Sequence, residues 1–347
     1  MTTRQQDTPR ALIRYALVSG TVTVALVWMS FLVRDTLLLI YVAGLIAVGL
    51  SPLVESIEQQ DFAGRIRLPR WAAILSVYLL IATVVVAIGL LMVPTVVTQA
   101  RDFWSAAPDL LHRVQQWLIE RRLLSREITF IEAVQRAPVD GSDAVGTVLS
   151  AVWGFVGGVF GVLTILIIAF YLLLDADNIV RTIVRLFPRH ERTRVNHAFH
   201  RAAGKVSAWL GGQLLLGAII GTSAAMGLWI LGVPYFYVLA LIAGVGELIP
   251  IVGPVLSAIP AILVALAVSP PMALGVAVFF IVQQQVENHV LVPRVMSRQV
   301  GISPVVVILA LLIGGSLLGI VGAILAVPTA AILQVLLQEL FAEAATD

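Results

Sequence analysis

Residues 244–254 read Gly-Val-Gly-Glu-Leu-Ile-Pro-Ile-Val-Gly-Pro and interrupt a long apolar region of the chain. The apolar runs on either side, Val233 to Leu248 and Val255 to Val268, are each shorter than the roughly 20 residues that a bilayer-spanning helix needs. Proline and glycine between them end one helix and allow another to begin. The stretch therefore predicts a broken helix over 234–268 that returns to its own side as a re-entrant hairpin.

The rest of the chain shares this apolar character. Of its 347 residues, 59% are hydrophobic and 12% are charged, with a mean hydropathy of +0.99. Soluble domains carry about twice that share of charge, so a water-soluble globular fold is excluded and an all-α polytopic membrane protein is predicted. The chain has no cysteine, which excludes disulfides and thiolate sites. Its basic residues are dispersed, so no nucleic-acid partner is expected.

The N-terminal region, residues 1–97, is predicted to form three membrane helices. Only Arg34 and Asp35 separate the first two apolar segments, and this short link favours a helical hairpin. The three predicted spans are about 14–33, 36–54 and 71–97.

The one long polar stretch covers residues 98–148. Apolar residues recur in it at helical spacing, at Leu110, Leu111, Val114, Trp117 and Leu118. The pattern predicts an extracytoplasmic amphipathic helical segment, too small to form a core of its own and therefore packed on a membrane surface or another subunit.

Residues 149–347 are predicted to form a C-terminal membrane domain, which brings the total to about eight hydrophobic segments. Its unbroken spans are predicted at about 149–174, 206–231 and 272–292. The last apolar stretch, 304–340, is too long for one helix and contains several glycines, so it predicts a second broken segment beside 234–268. Unwound backbone at membrane depth is tolerated where it is buried in protein or lines a cavity, as in secondary transporters.

The orientation follows from basic residues in short loops, which favour the cytoplasmic side. Arginines precede the first span, follow the second within 55–70, and are frequent in the loop 175–205. All three groups lie on one side of the membrane if the N-terminus is cytoplasmic, and 98–148 then lies outside.

A second group of motifs lies near the C-terminus: Gln-Val-Glu-Asn-His-Val-Leu-Val-Pro-Arg begins at 285, Ile-Gly-Gly-Ser-Leu-Leu-Gly-Ile-Val-Gly at 313, and Ala-Val-Pro-Thr at 326. Together with 244–254, these motifs resemble the AI-2E exporter family, also known as the PerM family. The resemblance covers nearly the whole chain and is most specific over 232–340. It implies a multi-pass protein of the prokaryotic inner membrane with cytoplasmic termini, which forms homo-oligomers. Members are described as exporters of autoinducer-2 and as sodium(lithium)/proton antiporters, so the substrate stays open.

The resemblance also points to candidate transport and coupling residues. Glu247 occupies the acidic or amide position before the family's Pro-x-x-Gly-Pro turn, which is completed here by Pro250, Gly253 and Pro254. Further candidates in the polar end of the following helix are Gln285, Glu287 and Asn288. The amides either line a polar path for a hydroxylated substrate or satisfy broken backbone.

Glu247 lies in a stretch, 206–293, that contains no lysine or arginine. A carboxylate buried without a cation is costly, so we expect Glu247 to favour its neutral form and to exchange a proton or cation. The alternative is a structural acid that accepts hydrogen bonds from the turn's amides. Glu287 is expected to lie nearer the cytoplasmic interface and water.

The predicted mechanism is alternating access, with the broken segments flanking a cavity. In the second of them, the predicted hinge glycines are Gly314, Gly315 and Gly319. The sequence predicts no enzyme, catalytic residue, metal site or cofactor, and it contains no phosphate-binding glycine loop followed by lysine. Expected partners are membrane lipid, a small solute or ion (H⁺ or Na⁺) and further copies of the chain. The rival functions are a passive oligomeric channel and a membrane scaffold.

The topology can be tested by cysteine labelling in this cysteine-free chain. A cysteine at Ser125 is expected to react with a membrane-impermeant thiol reagent in intact cells, because the predicted orientation places 98–148 outside. A cysteine at Thr193, in the basic loop, is expected to be protected until the cells are opened. The reverse labelling pattern would invert the orientation.

Overall fold

The computed structural model describes residues 9–59, 68–120, 160–296 and 301–342. These residues form helices joined by short turns, with no strand among them, so the predicted all-α fold is confirmed. A π-helical turn, Glu287–Leu291, links the ninth and tenth helices. The helices are α1 Pro9–Leu32, α2 Arg34–Gln59, α3 Arg70–Glu120, α4 Phe160–Leu174, α5 Ala176–Arg185, α6 Arg192–Ile230, α7 Phe236–Gly246, α8 Val252–Val268, α9 Pro270–Val286, α10 Val292–Val295 and α11 Pro304–Ala342.

Four helices in the described ranges are long and apolar enough to cross a bilayer: α2, residues 70–90 of α3, α6, and residues 304–339 of α11. The bent pair of α4 and α5, which meet at 69°, makes a fifth if the two are counted as one span. The polytopic membrane architecture expected from the composition is therefore present.

Helices α2, α3 and α4 pack around a shared apolar core, and we call them the N-terminal unit. Small side chains on α2 let the helices approach closely, which is how helices associate where lipid removes the hydrophobic driving force. Tyr78 on α3 also donates a hydrogen bond to the carbonyl of Leu166 on α4, at 3.0 Å. The buried core residues are Ala43, Ala47, Val54, Ala73, Ile74, Val77, Ala169 and Leu173.

The predicted hairpin between the first two spans is wrong. Val33 alone separates α1 from α2, and each helix is hydrogen-bonded as far as that residue. The Val33 N–H donates to the Met29 carbonyl, and the Leu37 N–H donates to the Val33 carbonyl, at 3.1 and 2.9 Å. A reversal between antiparallel helices needs a loop of a few residues. Arg34 and Asp35 instead begin α2, because both residues are tolerated in a helix.

Helix α7 folds back on α8 as a tight hairpin at residues 247–251. The arms have 11 and 17 residues, or about 16 and 25 Å, and neither reaches the roughly 30 Å of a hydrocarbon core. At the tip the backbones touch, and a Cβ on Gly253 would overlap the carbonyl of Gly246. Glycine at both positions is therefore what permits the turn.

The same hairpin packs on α6 through glycine. A Cβ built on Gly217 would lie 2.9 Å from the carbonyl oxygen of Gly244, and one on Gly221 would lie 3.2 Å from its Cα. The four-residue spacing of Gly217 and Gly221 places both on one face of α6. The two glycines thus let α7 approach α6 at backbone distance.

Helix α11 is also broken, at Leu318 and Gly319, where Gly319 adopts a φ of +60°. The chain folds back there, so that the backbones of Gly314 and Gly322 are in contact. The break coincides with the predicted glycine cluster. Gly315, in contrast, has open space around its Cβ position.

Helix α3 continues without interruption from its membrane segment into the region predicted to lie outside. Its far part contacts the start of α7: the Gln99 side chain accepts a hydrogen bond from the Tyr237 N–H at 3.2 Å, and Phe103 packs edge-on against Tyr235 with ring centres 5.6 Å apart. This contact connects the N-terminal unit to the base of the α7–α8 hairpin. The remainder of the predicted outer segment, from residue 121, lies outside the described residues.

The hairpin tip predicts a glycine-specific stability effect. Gly253→Ala is expected to lower the melting temperature of the purified protein in detergent by several degrees, because the new methyl meets a backbone carbonyl that cannot move aside. Gly315→Ala is the matched control and is expected to melt like the wild type, since its Cβ meets nothing within 4 Å. Equal melting of both variants would contradict the close contact.

Candidate functional site

Four polar side chains are buried in the described core, with exposed fractions between 2 and 5%. They come from four elements that meet at the tip of the α7–α8 hairpin: α6, the end of α7, α8, and the π-turn. The residues are Gln213, Glu247, Ser257 and Glu287. We call this group the polar cluster.

Glu247 follows the last residue of α7 and is held by α6. The side-chain amide of Gln213 donates to the main-chain carbonyl of Glu247, and the same nitrogen lies 3.5 Å from Oε1 of the carboxyl group. The other carboxyl oxygen, Oε2, and Oε1 of Gln213 are buried without a hydrogen-bond partner among the described residues. Buried polar atoms are normally paired, so two unpaired acceptors side by side indicate a missing donor or cation.

Glu287 lies beside a small cavity under the hairpin tip. The cavity has a volume of about 10 Å³, close to the space that one water needs. Next to it, the Gln283 amide nitrogen donates to the Ile220 carbonyl at 3.1 Å and to the Ser223 hydroxyl at 3.0 Å. Its Oε1 is a third buried acceptor that has no partner in the described part of the chain. The cavity is lined by Ile220, Pro254, Ser257, Phe280, Gln283, Gln284 and Glu287.

Two local backbone features shape the polar cluster. Ile251 at the hairpin tip has a φ of +69°, a conformation that β-branched residues rarely adopt and that costs on the order of 1–3 kcal/mol. The π-turn that begins at Glu287 interrupts the α-helical register, and such turns occur frequently at functional sites. Ile251 follows Glu247 by four residues, and the π-turn begins at Glu287, so each irregular backbone segment lies next to one of the two buried carboxyl groups.

The electrostatic character of the polar cluster is one-sided. Glu247 and Glu287 are both buried in the cluster, and no lysine or arginine occurs between 206 and 293. The unpaired atoms are all acceptor oxygens. Such a site can hold protonated acids or a small cation coordinated by oxygen, and the stretch 206–293 offers no lysine or arginine to an anion.

The structure places the sequence-predicted residues in two groups. Glu247 and Glu287 come together, with Pro250, Gly253 and Pro254 forming the adjacent tip. Gln285 and Asn288 lie on the exposed face of the same helical segment and do not join the cluster.

The expectation that Glu287 lies near water is wrong, because its side chain is 5% exposed. Helix α9 continues through the π-turn into α10, and Glu287 faces the protein while its neighbours Val286 and Asn288 are exposed. Gln213 was missed by sequence reasoning. Its one signal is its position as an isolated amide in the apolar run of the predicted 206–231 span.

The model of the AI-2E family transporters matches residues 20–342. The chain belongs to the AI-2E transporter family. YueF of Bacillus subtilis is 28% identical over 309 residues, which cover 84% of this chain and 81% of YueF. YrrI of the same organism is 37% identical over 174 residues, covering 50% of this chain and 49% of YrrI.

A third relative of this AI-2E family member is YhhT of Escherichia coli, 29% identical over 204 residues that cover 57% of this chain and 56% of YhhT. All three relatives are named as candidate transport proteins, and none of the names states a substrate. Membership thus supports a multi-pass membrane transporter.

The contact between Gln213 and Glu247 predicts a stability effect at the site. Gln213→Leu is expected to destabilise the protein by about 1–3 kcal/mol, because it leaves the buried carbonyl of Glu247 without a donor. Thermal unfolding in detergent measures the change. Gln285→Leu, at an exposed position, is the control and is expected to unfold like the wild type. A Gln213→Leu protein as stable as the control would remove this hydrogen bond from the site.

Proposed function

We propose that this AI-2E family member is a secondary transporter that exports a small solute across the prokaryotic inner membrane and is driven by a proton or monovalent cation bound at Glu247 and Glu287. The observation that carries the proposal is the pair of buried carboxyl groups at the tip of a helical hairpin. The oxygens without a partner among the described residues are Oε2 of Glu247 itself and the Oε1 atoms of Gln213 and Gln283, and no lysine or arginine occurs in 206–293.

The position of the polar cluster along α6 suits a coupling site. Gln213 follows Lys205 by eight residues, or about 12 Å of helix, and precedes the last residue of α6, Ile230, by 17 residues. The cluster therefore lies well inside the apolar part of α6. Substrate and ion sites of secondary transporters are typically built at such depth from interrupted helices.

The coupling step follows from the cost of burying charge. With one proton or monovalent cation bound, the net charge of the two carboxyl groups falls from −2 to −1, and the α7–α8 tip can stay seated against α6. When the ion leaves, two like charges remain in a dry site. Movement of the tip toward water then lowers the free energy of the protein. Binding and release of the ion thereby bias two positions of the hairpin, which is the requirement for alternating access.

The broken α11 helix is proposed to flank the transport cavity on the side opposite to the α7–α8 hairpin. Both broken segments are proposed to act as re-entrant hairpins. Both termini are proposed to be cytoplasmic. The chain is also proposed to form homo-oligomers, because the fold at Leu318 and Gly319 exposes apolar side chains and unwound backbone, which must be covered at membrane depth.

A second candidate function is Na⁺(Li⁺)/H⁺ antiport through the same polar cluster. The specific observation in its favour is that the unpaired buried atoms are oxygen acceptors, the ligand type that hard cations take. In proteoliposomes with an internal pH dye, a Na⁺ or Li⁺ pulse without other solute would move protons if antiport is the function. A solute exporter would need its solute for the same response.

The rival functions, which involve no active transport, are a passive channel and a membrane scaffold. Vesicle transport separates them, because a channel dissipates gradients while a coupled transporter concentrates solute against one. A panel of small hydroxylated solutes and monovalent cations, tested under an imposed proton gradient, makes this distinction. Uphill accumulation of any member would contradict both rivals.

Glu247→Gln tests the coupling residue, since it keeps size and hydrogen bonding but fixes the site as neutral. The variant is expected to fold and reach the membrane, and to lose gradient-driven transport by about tenfold or more. Glu287→Gln is expected to reduce it as well, because Glu287 is buried in the same cluster.

Glu58→Gln is the matched control, at an acid on α2 outside the polar cluster, and is expected to transport normally. Normal driven transport by Glu247→Gln at neutral pH would make Glu247 a structural residue. Exchange of solute across vesicles without a gradient is expected to survive in Glu247→Gln, which separates loss of coupling from loss of fold.

A further inference from the structure

A cavity of about 780 Å³ lies between the N-terminal unit and α6, away from the polar cluster. Its volume is within the range of about 300–1,000 Å³ that small-molecule sites occupy. Helices α2, α4, α5 and α6 form its walls, so it follows the seam between the two halves of the chain. Nothing in the transport proposal uses it.

The cavity is apolar along its length and polar at one end. Its lining on α2 extends from Gly44 to Glu55, 11 residues or about 16 Å of helix. Toward Gly44, the α2 wall of the cavity is small or apolar, at Gly44, Ala47 and Val48. At the other end they carry Glu55, Arg70, Asp177, Arg181, Asn196 and His200. This distribution fits an amphiphile with its tail along α2 and its polar group at the mouth.

Helix α5 identifies the mouth as a membrane–water boundary. The chain turns by 69° between α4 and α5. Ile179, Val180 and Ile183 are partly buried on one face of α5, while Arg181 and Arg185 are exposed on the other. Short amphipathic helices of this kind lie in the interface plane, with basic residues toward the headgroups.

The charges at the mouth are unequally engaged. Arg70 donates to the Leu173 carbonyl at 2.9 Å and pairs with Asp177 at 3.0 Å, so its charge is already balanced. Arg181 donates to the Asp177 main-chain carbonyl and to the Asn178 side chain, both at 3.0 Å. It forms no ion pair with a carboxylate among the described residues. Its guanidinium group is thus a positive charge positioned at the mouth and available to an anion.

We propose that this cavity binds one phospholipid of the cytoplasmic leaflet, with an acyl chain in the apolar part and its phosphate at Arg181. A guanidinium is well suited to phosphate, and an acyl chain needs no hydrogen-bond partners along the walls. A peptide segment would bring backbone N–H and C=O groups into a part of the cavity that cannot satisfy them. A bound phospholipid contacts α2 and α6 together and therefore joins the N-terminal unit to the helix that seats the α7–α8 hairpin.

Two glycines allow the cavity to be filled without disturbing the fold. Gly44 on α2 and Gly204 on α6 line it, and a Cβ at either position meets nothing within 4 Å. Gly44→Leu and Gly204→Leu therefore place a side chain where the acyl chain is proposed. Gly211→Leu is the matched control, because Gly211 lies on the same helix, is equally open and does not line the cavity.

The experiment is native mass spectrometry of the delipidated full chain, titrated with palmitoyl-oleoyl phosphatidylglycerol. Wild type and Gly211→Leu are expected to bind one lipid tightly per chain. The two variants that fill the cavity, Gly44→Leu and Gly204→Leu, are expected to bind it at least about tenfold more weakly. Arg181→Gln is expected to weaken binding about tenfold, whereas Arg185→Gln, on the same helix but outside the cavity, leaves it unchanged.

Diazirine-labelled phosphatidylglycerol locates the site independently. Adducts are expected on 44–55 and 196–207, and they are expected to disappear in Gly204→Leu. The proposal would be overturned if all variants bound the lipid equally, or if the adducts were confined to other helices. It would also be overturned if an uncharged alkyl glucoside competed for the site as well as unlabelled phosphatidylglycerol does. If a filling variant does not fold, the exposed Arg181→Gln substitution and the adduct map still decide the outcome.

Discussion

The hydrogen bond from the Gln213 amide to the main-chain carbonyl of Glu247 joins the hairpin tip to α6, and the arrangement of the site depends on it. A helix that stops inside an apolar region leaves carbonyl groups that water would otherwise solvate. Here α6 supplies one donor from Gln213, and its glycines at 217 and 221 bring the α7 backbone close enough to be covered. Among the described side chains, the buried acceptors without a partner belong to Gln213, Glu247 and Gln283.

The sequence predicted the features that depend on length and on backbone chemistry. The α7–α8 hairpin followed from apolar runs too short to span and from the proline and glycine between them. The break in α11 followed from its excess length and its glycines, and the structure places it at Leu318 and Gly319. In each case, the constraint is local to the chain, because the length of an apolar run is compared with the thickness of the bilayer's hydrocarbon core.

The features that the sequence did not predict depend on contacts between distant segments. Hydropathy separates α1 from α2 at Arg34, but it does not say whether the chain reverses there, and the one-residue link at Val33 is too short for a reversal. The burial of Glu287 required knowing that α9 continues through a π-turn beneath the α7–α8 tip. Gln213 has no motif around it, and its role follows from a partner 34 residues away. Orientation about a helix axis is decided by packing, which a hydropathy profile does not contain.

Helix α6 contacts each element that the proposed mechanism needs. Its Arg194 pairs with Glu339 of α11 at 3.0 Å, and its Lys205 donates to Gln334 of α11 at 3.3 Å. Further along, its glycines hold α7, and its other side faces the cavity at the N-terminal unit. A change in charge at the polar cluster acts on the contacts of α6 with α7, α8 and the π-turn, whereas the ion pair with α11 and the cavity lie elsewhere on the helix. The α7–α8 hairpin can therefore move while α6 keeps its contacts with α2 and α11, which makes α6 the fixed element and the hairpin the moving one.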